Sequence, residues 1–162
     1  MTQQAYAGPI AEVGLEYFGS YRVRLKPPVD FGVGPYGNRM LFEGIDGDFA
    51  GEGLRGRFIN GGGDWLLVGA DGFARLDVRI QLQTEDGANI YITYPGVIEL
   101  TERFQQAMSG TSGTEYADQY FRTTPRFETG EPRYAHLTRS VFVGVGHLLP
   151  GLVVEYEVYR IT

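Results

Sequence analysis

The fold is decided by residues 61–82, which read GGGDWLLVGADGFARLDVRIQL. The three opening glycines suit a loop that only a glycine-tolerant backbone can make. Two predicted strands follow, at residues 65–68 and 73–83, and a turn at Asp71-Gly72 joins them into a hairpin. Apolar and polar residues alternate along the second strand, which is typical of a strand with one buried face.

The rest of the chain repeats this pattern of short strands and tight turns. The clearest alternation runs over residues 12–25, and we count about nine or ten strands with turns roughly every 8–12 residues. Near residues 98–108 an apolar residue recurs at every fourth position, which predicts one short amphipathic helix. The sequence therefore predicts an all-β antiparallel barrel or sandwich over residues 11–162, after a flexible tail at residues 1–10.

Composition and charge narrow the class of protein. The chain has 162 residues with 24 Gly, 11 Tyr and 10 Phe, which suits strands joined by turns. Its net charge of −6 argues against nucleic acid as a partner, because phosphate binding needs a basic patch. The start has no signal-peptide pattern and no apolar run approaches the length of a membrane span, so we expect a cytoplasmic protein without a membrane partner.

Neither a metal nor an organic cofactor is predicted. The chain has no Cys and only two His, too few for a convincing metal site, and we expect His136 on a strand and His147 in a solvated loop. The glycines at 61–63 precede Asp-Trp and a strand, whereas a phosphate-binding loop continues with Lys-Ser/Thr and a helix. The VGVG run at 143–146 also lacks a following helix, so no nucleotide site is expected.

Several motifs taken together resemble those of a family of small bacterial proteins, DUF3237, also called UPF0311. The resemblance extends from Leu15 to the end of the chain and implies an antiparallel β-barrel of calycin or lipocalin type, while it implies little about activity. Two places depart from the family pattern: HLTR at 136–139 stands where Trp-Leu-Asn-Arg is expected, and Tyr94-Pro95 stands where an Asn is expected. The motifs are GDW at 63–65, DG at 71–72 with ARLD at 74–77, DGA at 86–88 with IY at 90–91, YFRTTPRFE at 120–128, PRY at 132–134, VGVG at 143–146 and YEV at 156–158.

The candidate catalytic residues are charged side chains in or near these motifs. Arg75 and Asp77 share one face of the predicted strand 73–83. If that face is outside, the charges are solvated and pair weakly; if it lines a barrel lumen, they form a buried pair that can move protons. Asp64 is either a turn residue or a general base, and Arg122 is either a surface cation or a clamp for a carboxylate.

Aromatic side chains supply candidate walls for a cavity. A Trp at a barrel mouth can stack on an aromatic substrate, and a tyrosine hydroxyl can hydrogen-bond a substrate carbonyl. Each of these residues has a structural alternative, since strands favour aromatic residues in any case. The candidate substrate-binding residues are Trp65, Tyr91, Tyr94, Phe127, Tyr134 and Arg139.

Three functions are compatible with these features. The first is an enzyme without cofactor that isomerises, cyclises, hydrates or cleaves a small apolar molecule, aromatic and bearing a carbonyl or carboxylate. The second is a binding protein that carries a hydrophobic small molecule in the same barrel. The third is a structural or oligomerising β-domain with a filled core. The sequence does not decide whether the protein forms a homo-oligomer. A charged face on the strand with the strongest family motif favours the enzyme, provided that this face points into the lumen.

Overall fold

Strands make up 58% of the protein, as the computed structural model shows for Gly8 and residues 11–162. The predicted tail at residues 1–10 lies outside these described residues, except for Gly8. The described residues contain eleven strands: β1 (Leu15–Leu25), β2 (Val29–Gly34), β3 (Gly37–Gly51), β4 (Arg55–Phe58), β5 (Gly63–Val68), β6 (Phe73–Thr84), β7 (Asn89–Glu99), β8 (Phe121–Thr123), β9 (Arg126–Glu128), β10 (Phe142–Leu149) and β11 (Val153–Ile161).

Eight of the strands close into an antiparallel ring, in the order β3-β1-β11-β10-β8-β7-β6-β5 and back to β3. The three other strands are paired to members of the ring but are not part of it. β2 pairs with β3, and β9 pairs with β7. β4 pairs with both β3 and β6. The prediction of an all-β antiparallel barrel with one short helix is confirmed, and a closed ring leaves few unpaired strand edges.

One α-helix, α1 (Glu102–Ala107), covers an end of the barrel. Thr101 caps it by accepting a hydrogen bond of 3.2 Å from the backbone N–H of Phe104. The helix is shorter than the predicted segment near 98–108, because residues 98 and 99 still pair within β7. Two 3-10 segments, Tyr116–Asp118 and Pro132–Arg139, complete the regular structure. Within the described residues, no helix combines the length and apolar character that crossing a bilayer requires.

The predicted glycine loop positions the strand that carries the site. Gly61 and Gly62 have φ of 112° and 95°, a region that residues with a side chain rarely adopt. A Cβ on Gly62 would also lie 2.2 Å from the carbonyl oxygen of Arg79. This tight turn delivers β5 between β3 and β6, and Gly63 pairs with Glu43 on one side and Arg79 on the other.

Aromatic rings fill one end of the barrel. Phe18 contacts the rings of Phe49, Phe127 and Phe142 at centroid distances of 4.9 to 6.1 Å. Tyr21 stacks on Phe49 at 5.7 Å and forms the upper boundary of this cluster. Buried rings of this size contribute much of a small domain's hydrophobic stabilisation, and this end of the barrel has a packed core. The free space of the barrel therefore lies toward the end that α1 covers.

Candidate functional site

The end of the barrel under α1 encloses a cavity. Each strand of the eight-membered ring contributes at least one lining residue, and Phe104 and Met108 close the cavity from the helix. The space that the centre of a water molecule can reach inside it is about 60 Å³. One water occupies roughly 10–15 Å³ and a cavity that holds benzene measures about 150 Å³, so this cavity has room for a few waters and a ring would extend beyond it.

A carboxylate lies in the wall of this apolar space. Phe42, Asp64, Val78 and Tyr94 face one another in register across β3, β5, β6 and β7, and all four line the cavity. Apart from Asp64, the described lining residues carry no carboxylate, ammonium, guanidinium or imidazole group. Asp64 therefore sets the electrostatics of the cavity.

The Asp64 side chain takes part in the hydrogen bonding of the barrel wall. Asp64 pairs with Val78 and Leu67 pairs with Arg75, but the residues between them on β5 and β6 are not paired. In this gap an Asp64 carboxylate oxygen accepts a hydrogen bond of 3.0 Å from the Asp77 backbone N–H. From β3, on the other side of β5, Arg39 donates a hydrogen bond of 2.6 Å to the carbonyl oxygen of Trp65. Side chains thus satisfy backbone groups that a regular ladder would pair.

Burial raises the pKa of Asp64 to about 7, well above its usual value of 3.8. The carboxylate borders the cavity, so its surface exposure is intermediate, yet the protein packed around it removes most of its hydration. The Asp77 N–H and the Arg39 guanidinium favour the ionised form and limit the rise, while the Asp77 carboxylate adds to it. Near neutral pH both forms of Asp64 are therefore populated, as general acid–base catalysis requires.

Three tyrosines form a cluster beside Asp64. Tyr156 stacks on Tyr21 with ring centroids 4.7 Å apart, and Tyr94 meets Tyr156 edge-on at 5.6 Å. Tyr94 and Tyr156 line the cavity, while Tyr21 lies at its floor between them and the packed aromatic core. The buried Tyr21 hydroxyl lies next to that of Tyr94 but forms no hydrogen bond of regular geometry. Burial raises the pKa of all three phenols, so they remain proton donors at neutral pH.

The cavity reaches solvent at a small apolar mouth. Among its lining residues only Leu25, Asp64, Met108 and Leu152 are partly exposed, and the others are buried. Leu152 has a φ of 56°, a left-handed conformation that is unusual for a leucine. Its side chain lies against Gly110, where an added Cβ would be 3.1 Å from the leucine Cγ. The backbone of the β10–β11 turn thus directs Leu152 across the mouth toward α1.

Arg75 and Asp77 lie on the outside of the barrel. Both side chains are exposed on the outer face of β6, while Leu76, Val78 and Ile80 face inward. Arg75 pairs with Asp71 at 2.5 Å, and Asp77 pairs with Arg79 at 3.3 Å. The condition for their proposed catalytic role, an inward-facing side chain, is not met, because the apolar residues of the alternating strand occupy the lumen.

The other predicted arginines also lie outside the cavity. Arg122 is exposed above the ring of Tyr120 at 5.0 Å, and Arg139 is exposed on a 3-10 segment. Trp65 lines a shallow outer cleft with Arg39 and Asp77, on the opposite side of the wall from the cavity. The expected cationic clamp and tryptophan wall are therefore not part of the cavity.

The remaining predicted residues divide between core, surface and site. Phe127 is buried in the aromatic core, Tyr91 is exposed on β7, and the Tyr134 hydroxyl donates a hydrogen bond of 2.9 Å to Asp86 at the surface. Of the ten predicted site residues, Asp64 and Tyr94 line the cavity. Tyr21, Tyr156 and Arg39 were not among the predicted site residues. The alternation of inward- and outward-facing residues along β1 and β11 could have indicated the two tyrosines.

A comparison with known proteins identifies the family. The family model described as "Protein of unknown function (DUF3237)" matches residues 13–161. The chain belongs to the DUF3237 family. A UPF0311 protein of Clostridium acetobutylicum is 30% identical over 154 residues, which cover 94% of this chain and 97% of that protein. The resemblance identified from the sequence motifs is thus confirmed.

Solved structures support the barrel. A β-barrel-like protein from Acinetobacter baumannii is 31% identical, with a TM-score of 0.80 over 97% of this chain and 100% of its own. A structure described as an enzyme from Penicillium herquei is 22% identical, with a TM-score of 0.71 over 97% of this chain and 100% of its own. At that identity the second likeness shows the shared fold alone.

Among the described residues, no three His, Cys, Asp or Glu side chains group as metal ligands would.

Proposed function

We propose that this DUF3237 protein is an enzyme that uses Asp64 as an acid–base catalyst on a small apolar molecule held in the barrel cavity. The observation that carries the proposal is a single carboxylic acid, its pKa raised to about 7 by burial, in a lining that is otherwise apolar except for two tyrosine hydroxyls. A catalytic acid or base is most effective when its pKa lies near the working pH. The substrate class is an aromatic molecule that bears a carbonyl or carboxyl group.

The proposed chemical step is proton transfer next to that group. The ionised Asp64 removes a proton from the carbon adjacent to the carbonyl, and the electrons of the broken C–H bond move onto the carbonyl oxygen. A phenol of Tyr94 or Tyr156 donates a hydrogen bond to the oxygen as its negative charge develops. Protonated Asp64 then returns the proton to the same or another carbon, which completes an isomerisation, or a leaving group departs, which completes an elimination.

One feature of the wall and one comparison support this role for Asp64. The hydrogen bond from the Asp77 N–H fixes the carboxylate in one orientation, so that little reorganisation is needed for proton transfer. The structural neighbour from Penicillium herquei, described as an enzyme, supports the idea that this barrel can house catalysis.

The proposal is tested by deuterium exchange, which does not require the natural substrate. Small aryl ketones are incubated with the protein in deuterated buffer, and loss of their α-proton signal is followed by NMR. We expect the wild type to accelerate exchange and Asp64→Asn to reduce that acceleration by about 10²–10⁴-fold. Asp48→Asn, an exposed aspartate on β3, is the matched control and should exchange at the wild-type rate. Equal rates for wild type and Asp64→Asn would refute the role of Asp64.

A binding protein for a hydrophobic small molecule is the second candidate. The observation in its favour is the lining itself, in which every side chain other than Asp64 is aliphatic, aromatic or a thioether, or the residue is glycine. Such a cavity can hold an apolar ligand without chemistry. Saturable ligand binding together with an absence of exchange in every ketone tried would favour this function over the enzyme.

A further inference from the structure

The cavity is lined by hydrogen-bond donors but by no cationic side chain. Its described lining residues include no Lys, Arg or His, and the three arginines among the predicted site residues, Arg75, Arg122 and Arg139, are exposed outside the barrel. A carboxylate moved into such a space loses its hydration and gains no cationic partner, which disfavours binding strongly. The ionised form of Asp64 would repel it further.

A neutral oxygen acceptor meets the opposite situation. The phenols of Tyr94 and Tyr156 line the cavity, and the Tyr21 hydroxyl, which forms no hydrogen bond of regular geometry, lies next to that of Tyr94. Burying a hydroxyl without a partner is unfavourable, so an acceptor that orders these phenols into a hydrogen-bonded chain recovers part of that free energy. A carbonyl oxygen has two lone pairs, accepts without donating and carries no charge.

The dimensions of the cavity set the size of the ligand. Its free space of about 60 Å³ is smaller than the roughly 150 Å³ of a cavity that holds benzene, so the ligand has at most one ring, and part of that ring lies in the mouth. The aliphatic residues Leu66, Leu76 and Met108 lie between the tyrosines and the mouth, so the apolar body of a ligand would occupy that part.

We propose that the cavity selects uncharged, single-ring carbonyl compounds, with the carbonyl oxygen directed at the hydroxyls of Tyr94 and Tyr156 and the ring toward the mouth. This inference rests on the same cavity as the proposed function and resolves the substrate head group in favour of a neutral carbonyl over a carboxylate. It concerns binding and does not require that Asp64 catalyse any reaction.

Four probes of similar shape test the selection: acetophenone is a neutral acceptor, ethylbenzene lacks the oxygen, benzoate is an anion and benzylamine is a cation. Dissociation constants are measured with the intact protein by NMR titration at about pH 7.5, where benzoate and benzylamine are charged. We expect acetophenone to bind about tenfold more tightly than ethylbenzene, the equivalent of one hydrogen bond. Benzoate should bind at least about 100-fold more weakly than acetophenone.

Variants connect the preference to the tyrosines. In the double variant Tyr94→Phe/Tyr156→Phe, the tenfold tighter binding of acetophenone relative to ethylbenzene should disappear. Ethylbenzene should bind with the wild-type dissociation constant, which shows that the cavity is intact. Tyr36→Phe, at a tyrosine that is 85% exposed, is the control and should retain the advantage. Benzoate or benzylamine binding more tightly than acetophenone, or no probe binding at millimolar concentration, would overturn the inference.

The binding test and the exchange test can fail separately. Asp64→Asn should keep the preference for acetophenone, because the tyrosines and the apolar walls are unchanged. If Asp64→Asn retains both binding and exchange, the catalytic role of Asp64 fails while the ligand class stands. If the wild type exchanges ketones but binds benzoate best, the ligand class fails while the catalytic role stands.

Discussion

The Asp64 carboxylate accepts a hydrogen bond from the Asp77 backbone N–H at 3.0 Å, in a gap where β5 and β6 are not paired. The two aspartates therefore have opposite positions in the barrel wall. The side chain of Asp64 borders the cavity, whereas that of Asp77 pairs with Arg79 in solvent. A backbone group of the outward-facing residue thus orients the inward-facing one, and the wall itself carries the proposed catalytic group.

Asp64→Asn should make the protein more stable above neutral pH. The folded-state pKa of Asp64, about 7, lies above the value of about 3.9 expected in the unfolded chain, so folding retains a proton that the unfolded chain releases. Wild-type stability should therefore fall as pH rises from about 4 to about 7, by up to about 4 kcal/mol from this residue, while Asn is insensitive to pH. Urea unfolding across this range measures the difference.

The same experiment has an internal control. At about pH 4 the Asp64 carboxyl is protonated in the folded state and about half protonated in the unfolded chain, so the variant should differ little from the wild type, since the Asn side-chain oxygen can still accept from Asp77. Asp48→Asn, at an exposed site, should follow the wild-type curve throughout. A variant that is less stable than the wild type at about pH 8 would contradict the raised pKa.

Arg39→Met should shift the pH dependence of exchange upward. The Arg39 guanidinium favours the ionised form of Asp64, so its removal raises the pKa of that carboxyl further and the active base forms at higher pH. The Trp65 carbonyl also loses its donor, which should destabilise the protein by about 1–2 kcal/mol. Exchange rates measured against pH report the shift.

Replacing Arg39 with lysine separates the effect of its charge from that of its hydrogen bond. Arg39→Lys keeps the positive charge and should retain most of the wild-type pH midpoint, although its geometry toward the Trp65 carbonyl is poorer. Arg55→Met removes an exposed arginine elsewhere and should leave the midpoint in place. An unchanged midpoint in Arg39→Met would mean that Arg39 does not act on Asp64.

How far the sequence predicts this molecule depends on the regularity of each strand. The alternation in β6 is long and unbroken, so the apolar Leu76 and Val78 face inward and the charges outward, as periodicity alone favours. The resemblance drew attention to Arg75 and Asp77, but a motif does not say which face it lies on. In β5 the run DWLLV at 64–68 does not alternate, so the sequence could not show that Asp64 faces the cavity and Trp65 the outside.

Contacts between segments that are distant in the chain could not be predicted from the sequence, for a different reason. Tyr21, Tyr94 and Tyr156 meet because β1, β7 and β11 curve round one ring, and nothing local in their sequence indicates that meeting. The prediction of a solvated loop at His147 is wrong for the same reason. His147 lies in β10, only 5% exposed, because the 3-10 segment at 116–118 folds over it.

Replacing Leu152 should separate backbone strain from side-chain packing at the mouth. Leu152→Gly and Leu152→Ala both remove the side chain, but only glycine adopts a φ of 56° without strain. We therefore expect the glycine variant to be more stable than the alanine variant by about 1 kcal/mol, measured by urea unfolding. Both should bind acetophenone with a faster association rate, because the mouth is wider. Equal stability of the two variants would show that the left-handed strain is no larger than the extra backbone entropy that glycine loses on folding.

His147→Phe should destabilise the protein although it keeps an aromatic ring. The histidine Nδ1 lies 2.6 Å from the Thr114 carbonyl oxygen, and Nε2 lies 3.1 Å from a Glu155 carboxylate oxygen. Phenylalanine can still pack on Tyr116, whose ring centroid is 4.0 Å away, but the Thr114 carbonyl loses its contact with the ring nitrogen and Glu155 keeps only Arg22 and Tyr116 as partners. A loss of about 1–3 kcal/mol in the free energy of unfolding is expected. His136→Phe, at an exposed histidine, should change stability by less than about 0.5 kcal/mol. If the two variants lose the same amount, the hydrogen bonds of His147 contribute nothing beyond its packing.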